Sequence, residues 1–151
     1  MASLRLETVI AAPVAEVFDL SLSVDAHTSS MAGSGERVVG GVASGAMALG
    51  DTVTWRARHF GVVFRMTSAI TAHERPSRFV DEQVRGPFGA WQHEHRFRDA
   101  GDGRTLMVDE VRFRSPLGPL GRLVDAVVLE RYLTRLLRQR NTWLRRELES
   151  R

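Results

Sequence analysis

Apolar positions change their spacing twice along the chain, and the changes divide it into three parts. Leu4, Leu6, Thr8 and Ile10 recur every second residue, the period of a half-buried strand over Leu4–Ile10. Pro13 then stands at the first position of a helix with Ala15, Val17, Phe18 and Leu20 on its apolar side. Asp25 to Met31 reads as a second short helix with Asp25 as its N-cap, ended by Gly33 and Gly35. From Glu36 the period returns to two. Strands are predicted over Glu36–Val42, Thr52–His59, Val62–Thr71, Arg78–Val84, Trp91–Arg98 and Arg104–Arg114. Phe60-Gly61, Gly86–Gly89 and Asp99–Gly103 read as turns, and His73–Ser77 as a loop.

After Ser115–Pro119 the spacing changes again. Leu120, Leu123, Val124, Val127, Val128, Leu133, Leu136, Leu137, Trp143, Leu144 and Leu148 recur at steps of three and four. A helix of about 28 residues is predicted, and at about 1.5 Å per residue it spans on the order of 40 Å. Strand, two short helices, six strands and one long helix make a seven-stranded antiparallel sheet whose concave face needs covering. The last helix carries the stripe to do it. A straight helix fills a curved sheet incompletely, so a concave, largely apolar pocket is expected between them.

Composition narrows the chemistry. The chain has 151 residues, enough for one domain, and hydrophobic residues make up 43% against 26% charged. One domain over 1–151 is expected. No cysteine is present, which excludes disulfides, thiol catalysis and Cys-ligated metal. All 21 basic residues are arginine, which excludes a lysine Schiff base and a Walker A lysine. No apolar run is long enough for a membrane span. The N-terminal residues lack the basic-then-apolar layout of a signal peptide, and a cytoplasmic location is expected.

The turns set a provisional register. Pairing Arg85 with Ala90 puts Glu82 opposite His93 and Val84 opposite Trp91. Pairing Arg98 with Arg104 puts His93 opposite Asp109, His95 opposite Met107, and Trp91 opposite Val111. Ser68 then neighbours Glu82. Three rows result on the face toward the helix: Met66/Val84/Trp91/Val111, Ser68/Glu82/His93/Asp109 and Ile70/Val80/His95/Met107. Asp81, Gln83, Gln92 and Glu94 fall on the other, solvated face. A slip of one residue in any strand reverses its faces.

Ala12-Pro13 with Val17-Phe18, the run Gly50–Gly61 containing Trp55, and Pro76 carry a family resemblance. So do Arg78–Glu82, Gly86-Pro87-Phe88, Trp91, His93, His95, Phe97, Asp109 and Pro116–Gly121. In these the chain resembles the START-like, helix-grip (SRPBCC) superfamily of Bet v 1-type allergens, lipid-transfer domains and aromatic polyketide cyclases. It is most similar to bacterial SRPBCC ligand-binding proteins. The resemblance implies an α+β helix-grip fold: a seven-stranded curved antiparallel sheet around a long C-terminal helix, with two short helices after the first strand. It does not extend to the glycine-rich loop of the plant allergens, since Gly40-Gly41 is too short. It implies a small hydrophobic or amphipathic ligand in a carrier, sensor or accessory binding protein. The alternative is a cyclase/dehydratase using pocket acids and bases.

The expected ligand-binding residues are Trp55, Phe64, Met66, Ser68, Val80, Glu82, Trp91, His93, His95, Met107, Asp109, Tyr132 and Leu136. Glu82, His93 and Asp109 are the candidate acid–base groups, with a self-satisfied buried polar network as the plain reading. The flanking carboxylates are expected to raise the His93 pKa. His93-x-His95 places two imidazoles on one face, as some metal sites do, but no metal and no cofactor are expected. Tyr132 lies beside the helical stripe, either donating its hydroxyl into the pocket or sitting at the boundary. Arg131, Arg135, Arg138 and Arg145 share one side of the last helix. An interaction module on that face is a third reading; a solvated face is the plainer one, without aromatic platforms for nucleic acid. A monomer or homodimer is expected.

Overall fold

The computed structural model describes residues 2–115 and 128–151. Its strands are β1 (Ala2–Ile10), β2 (Arg37–Gly41), β3 (Thr52–His59), β4 (Val62–Glu74), β5 (Arg78–Arg85), β6 (Ala90–Gly101) and β7 (Arg104–Arg114). Its helices are α1 (Val14–Ser21), α2 (Val24–Ser30) and α3 (Glu130–Glu149), with a 3-10 turn at Ala32–Ser34. The strands form one antiparallel sheet in the order β1-β7-β6-β5-β4-β3-β2. The result is an α+β helix-grip fold.

Local chemistry sets the start of α1 one residue, and the cap of α2 two residues, away from the sequence reading. Pro13 is extended (φ −62°, ψ 148°) and caps α1 from outside the helix. Ser23, not Asp25, caps α2: its hydroxyl accepts from the Ala26 amide at 3.2 Å. Asp25 instead accepts from the Gly45 amide at 3.0 Å, tying the long β2–β3 connection to the helix. Leu120, Leu123, Val124, Val127 and the Pro116–Gly121 motif lie outside the described residues.

Two apolar clusters build the core. One gathers Ile10, Val17, Phe18, Val53, Phe79, Phe97, Met107, Leu144 and Leu148, where the C-terminal half of α3 meets the sheet and the short helices. The other joins Leu4, Val111, Phe113 and Leu133. Burying each such side chain contributes about 1.5–3 kcal/mol. Leu136 and Leu137 are only half-buried, because the helix at that level faces a cavity.

The register departs from the expected one on both sides of β5 and at the β6–β7 turn; on the β4 side Ser68 pairs with Gln83 instead of neighbouring Glu82. After Glu82 pairs with Gln92, β5 leaves β6. Gln83 turns its side chain to the loop: Nε2 donates to the Phe88 carbonyl at 2.8 Å and Oε1 accepts from the Phe88 amide at 3.2 Å. This side-chain clamp replaces ladder bonds and moves the pairing by one residue, so Asp81 faces His93. Asp81 and Gln83 therefore turn toward the helix, while Glu82 and Val84 turn away. Val84 is 64% exposed. At the other end β6 and β7 run on to a two-residue Asp102-Gly103 turn with φ of 56° and 72°. Positive φ at both positions suits a tight hairpin. His95 now pairs with Asp109 and His93 with Val111. This shift of two residues keeps every side chain on its expected face.

Candidate functional site

A cavity of about 580 Å³ lies between the sheet and α3. Trp55, Phe64, Met66, Trp91, Leu133 and Leu136 give it apolar walls, with Val24, Met47, Val53 and Phe79 deeper in. Of the residues expected there, Trp55, Phe64, Met66, Ser68, Trp91, His93, His95, Tyr132 and Leu136 line it. Val80, Glu82, Met107 and Asp109 do not. Val80 is buried but belongs to the face of Ala72 and Glu94, its partners across the strands. Met107 is fully buried in the core beside α1, where its sulfur accepts from the Ser21 hydroxyl at 3.6 Å. Glu82 is the clearest correction. Its carboxylate accepts from Gln92 Nε2 at 2.6 Å on the opposite face, and Asp81 takes its place in the cavity.

The polar part of the site is a continuous network behind one wall. Asp109 is 0% exposed. Its Oδ1 accepts from His93 Nε2 at 2.8 Å and from Arg140 at 3.0 Å, and its Oδ2 accepts from Asn141 Nδ2 at 2.9 Å. Asn141 Nδ2 also donates to the Thr8 hydroxyl at 3.1 Å, linking the network to β1. Arg140 donates further to Asn141 Oδ1 at 3.2 Å and to His95 Nδ1 at 3.4 Å. With Nδ1 accepting from a guanidinium, His95 carries its proton on Nε2 and donates it to Asp81 Oδ2 at 2.7 Å. The two imidazoles stack at 3.6 Å between centroids, and Phe79 stacks on the far side of His95 at 4.0 Å.

Electrostatics fixes the protonation states. Burial disfavours the ionised form of Asp109, but the Arg140 charge and the hydrogen bond from His93 prevail and hold its pKa well below the usual value. Asp81 is lowered to about 2: burial opposes this, and the His95 hydrogen bond and the nearby imidazoles outweigh it. His93 goes the other way from the expectation. Burial, reinforced by His95 alongside, lowers it to about 4 despite the Asp109 hydrogen bond and the two carboxylates. Near neutral pH His93 is thus a neutral imidazole donating through Nε2.

A second polar pair sits elsewhere on the cavity wall. The Tyr132 hydroxyl and His59 Nδ1 are 2.6 Å apart, and Phe60 packs on the tyrosine ring at 4.4 Å. Burial lowers the His59 pKa and raises that of Tyr132. A third is His27 with Glu36, below Trp55.

Asp81, His93 and His95 each present a possible ligand atom within 4.8 Å of the others, the donor set of a two-histidine, one-carboxylate metal site. Stacking works against that use. In-plane lone pairs of nearly parallel rings point side by side rather than at one ion, and both Nε2 atoms are engaged by carboxylates.

Sequence reasoning missed Asp81, Arg140 and Asn141. Arg140 was detectable, since it interrupts the apolar stripe Leu133, Leu137, Leu144, Leu148 on the buried side of α3. A guanidinium on a core-facing stripe requires a buried carboxylate opposite, and Asp109 is that carboxylate. Arg131, Arg135, Arg138 and Arg145 are exposed. Among the described residues no helix is long and apolar enough to cross a membrane.

Comparison with known proteins agrees with this architecture. The model of the family described as polyketide cyclase/dehydrase and lipid transport matches residues 1–149. No curated protein matches the sequence. Among solved structures, an aromatase/cyclase from a Streptomyces species superposes with a TM-score of 0.75 at 15% identity, covering 98% of this chain and 93% of that one. A protein from Thermus thermophilus gives 0.74 at 17% identity, covering 95% and 97%. A START superfamily protein from Mycobacterium smegmatis gives 0.73 at 10% identity, covering 98% and 97%. At these identities the structural likeness speaks for the fold; the family match over almost the whole length does more, and the chain belongs to the polyketide cyclase/dehydrase and lipid transport family.

Proposed function

We propose that this protein binds one small hydrophobic or amphipathic molecule between the sheet and α3, as a carrier, sensor or accessory binding protein. The observation that carries the reading is the cavity itself. At about 580 Å³ it is within the range of small-molecule sites, and its walls are mainly apolar with a few polar groups gathered on one side. Apolar burial supplies the affinity and the polar wall supplies orientation. The test is titration with a neutral apolar dye such as Nile red, with native mass spectrometry of freshly purified protein for a co-purified molecule. One equivalent of dye is expected, with little salt dependence. Leu136→Trp, which fills the space below α3, is expected to abolish binding while the fold persists. Dye binding unchanged in that variant would place the ligand elsewhere.

A second reading has its own support. His93 is neutral near pH 7, and Asp109 holds its ring through Nε2, which leaves Nδ1 with a free lone pair. That is the arrangement of an oriented general base. In a cyclase or dehydratase this nitrogen would take a proton from carbon or oxygen of a folded substrate. On that reading His93→Gln lowers turnover while substrate still binds; loss of binding alone would favour the carrier.

A further inference from the structure

We propose that the cavity selects an apolar molecule whose polar end donates a hydrogen bond, such as a hydroxyl or phenol, and rejects carboxylates, fatty acids among them. The inference rests on the binding role above and deepens it. It follows from which polar atoms of the wall are already used. Both oxygens of Asp109 are taken, Arg140 donates to Asp109, Asn141 and His95, and both nitrogens of His95 are engaged. Within this network two atoms of cavity-lining residues have no partner among the described residues: the second carboxylate oxygen of Asp81 and Nδ1 of His93. Both are acceptors and neither can donate.

Asp81 and His93 each have a ligand atom within 4.8 Å of the other, so the two acceptor groups share one part of the wall. His93 is 5% exposed, and a buried acceptor without a donor loses the hydrogen bond that water would give it. A bound hydroxyl restores that bond. The Ser68 hydroxyl, also buried and without a side-chain partner among the described residues, can donate or accept and does not change the balance.

Charge acts in the same direction. The chain carries a net +3, yet among the described residues around the cavity the carboxylates of Glu36, Asp81 and Asp109 face one guanidinium, that of Arg140. That guanidinium is bound to Asp109. His27 meets Glu36, and burial keeps His59 and His93 from supplying positive charge. A ligand carboxylate would lose its hydration and meet an unshared Asp81 oxygen, a repulsion that grows as water is excluded.

The experiment compares three probes of nearly equal shape by calorimetry near pH 7: 2-naphthol, 2-methylnaphthalene and 2-naphthoate. The naphthol is expected to bind about tenfold or more tightly than either of the others, the value of one hydrogen bond to a charged acceptor. Equal affinities, or tightest binding by the naphthoate, would overturn the proposal while leaving the binding role intact. No binding by any of the three, with Nile red also excluded, would remove both. Asp81→Asn replaces an acceptor by a donor and removes the charge, and is expected to shift the naphthol-to-naphthoate ratio toward the naphthoate by about tenfold. An unchanged ratio in a folded variant would contradict the role of Asp81. If that variant does not fold, the ranking of the three probes on the unaltered protein decides the matter.

Discussion

Around Asp109, carboxylate, guanidinium, amide and two imidazoles hold one another behind the cavity wall, drawing on β1, β6, β7 and α3. At the β3–β4 turn, Phe60 has a φ of 53° and is 62% exposed. It is held mainly by its packing on Tyr132, and Val62 and Val63 beside it are also exposed. Both regions border one cavity, yet in one the polar atoms are buried and, His93 Nδ1 apart, satisfied by one another, and in the other apolar atoms are left toward solvent. The difference separates two tasks. The network fixes a few polar atoms rigidly enough to orient a ligand, while the turn covers the cavity with a side chain whose movement costs little.

The sharpest way to break that contrast is to remove the centre of the network. Asp109→Ala leaves Arg140 buried and unpaired, and a loss of about 3–5 kcal/mol in urea unfolding is expected. A loss below about 1 kcal/mol would mean that water already shares the site.

Acid should attack the same network in two stages. Because the folded pKa of His93 is depressed to about 4 from 6.5, the unfolded chain takes up the proton first. The stability tied to this group is fully present above pH 6.5 and is lost as pH falls toward 4, on the order of 3 kcal/mol in all. Asp81 and Asp109, with pKa values below 3.8, follow the same sign lower down. Their contribution is present above 3.8 and is lost as pH falls further. His93→Phe should remove the first stage and keep the second. Stability curves of the two proteins that run parallel between pH 7 and 4 would contradict the assignment.

Smaller effects sharpen the comparison along α3. Leu144 is 1% exposed in the main cluster, and Leu144→Ala is expected to cost about 2–5 kcal/mol. Leu136, half-buried over the cavity, should cost less when truncated and should enlarge the space available to a ligand. Equal losses at the two positions would mean that the cavity closes in solution. The smallest effect is expected at the turn. Phe60→Asn puts a residue that tolerates positive φ where an aromatic now sits, so stability should change by less than about 1 kcal/mol. Release of Nile red should nevertheless quicken, measured by stopped-flow. An unchanged release rate would detach Phe60 from the cavity's covering.

The sequence made the fold legible because period and turns agree. Strand and helix order follow from Leu4–Ile10, from the alternating strands and from the α3 stripe, and Phe60-Gly61 fixed the β3–β4 pairing with His59 opposite Val62. The site was legible only where register errors were even. Asp102-Gly103 made the β6–β7 turn tighter than expected, but a shift of two keeps faces, so His93, His95 and Asp109 remained together. Gln83 produced a shift of one, which exchanged Glu82 for Asp81. No hydrophobic pattern reveals a side chain that imitates a backbone ladder. The direction of the His93 shift also escaped, because neighbouring carboxylates are visible in a register while the depth of burial is not.

Ligand selection by the cavity depends most on the state of the His93 ring. Nitrogen-15 NMR of the histidine side chains, followed from pH 8 down to the acid limit of the fold, reads it directly. The expected result is a neutral ring near pH 7 with the proton on Nε2, an unprotonated Nδ1, a midpoint near 4, and an Nδ1 resonance that moves when 2-naphthol is added. An imidazolium at pH 7 would contradict the account: the carboxylates would then outweigh burial, Nδ1 would be a donor, and the wall would suit the carboxylate ligands it is held to reject.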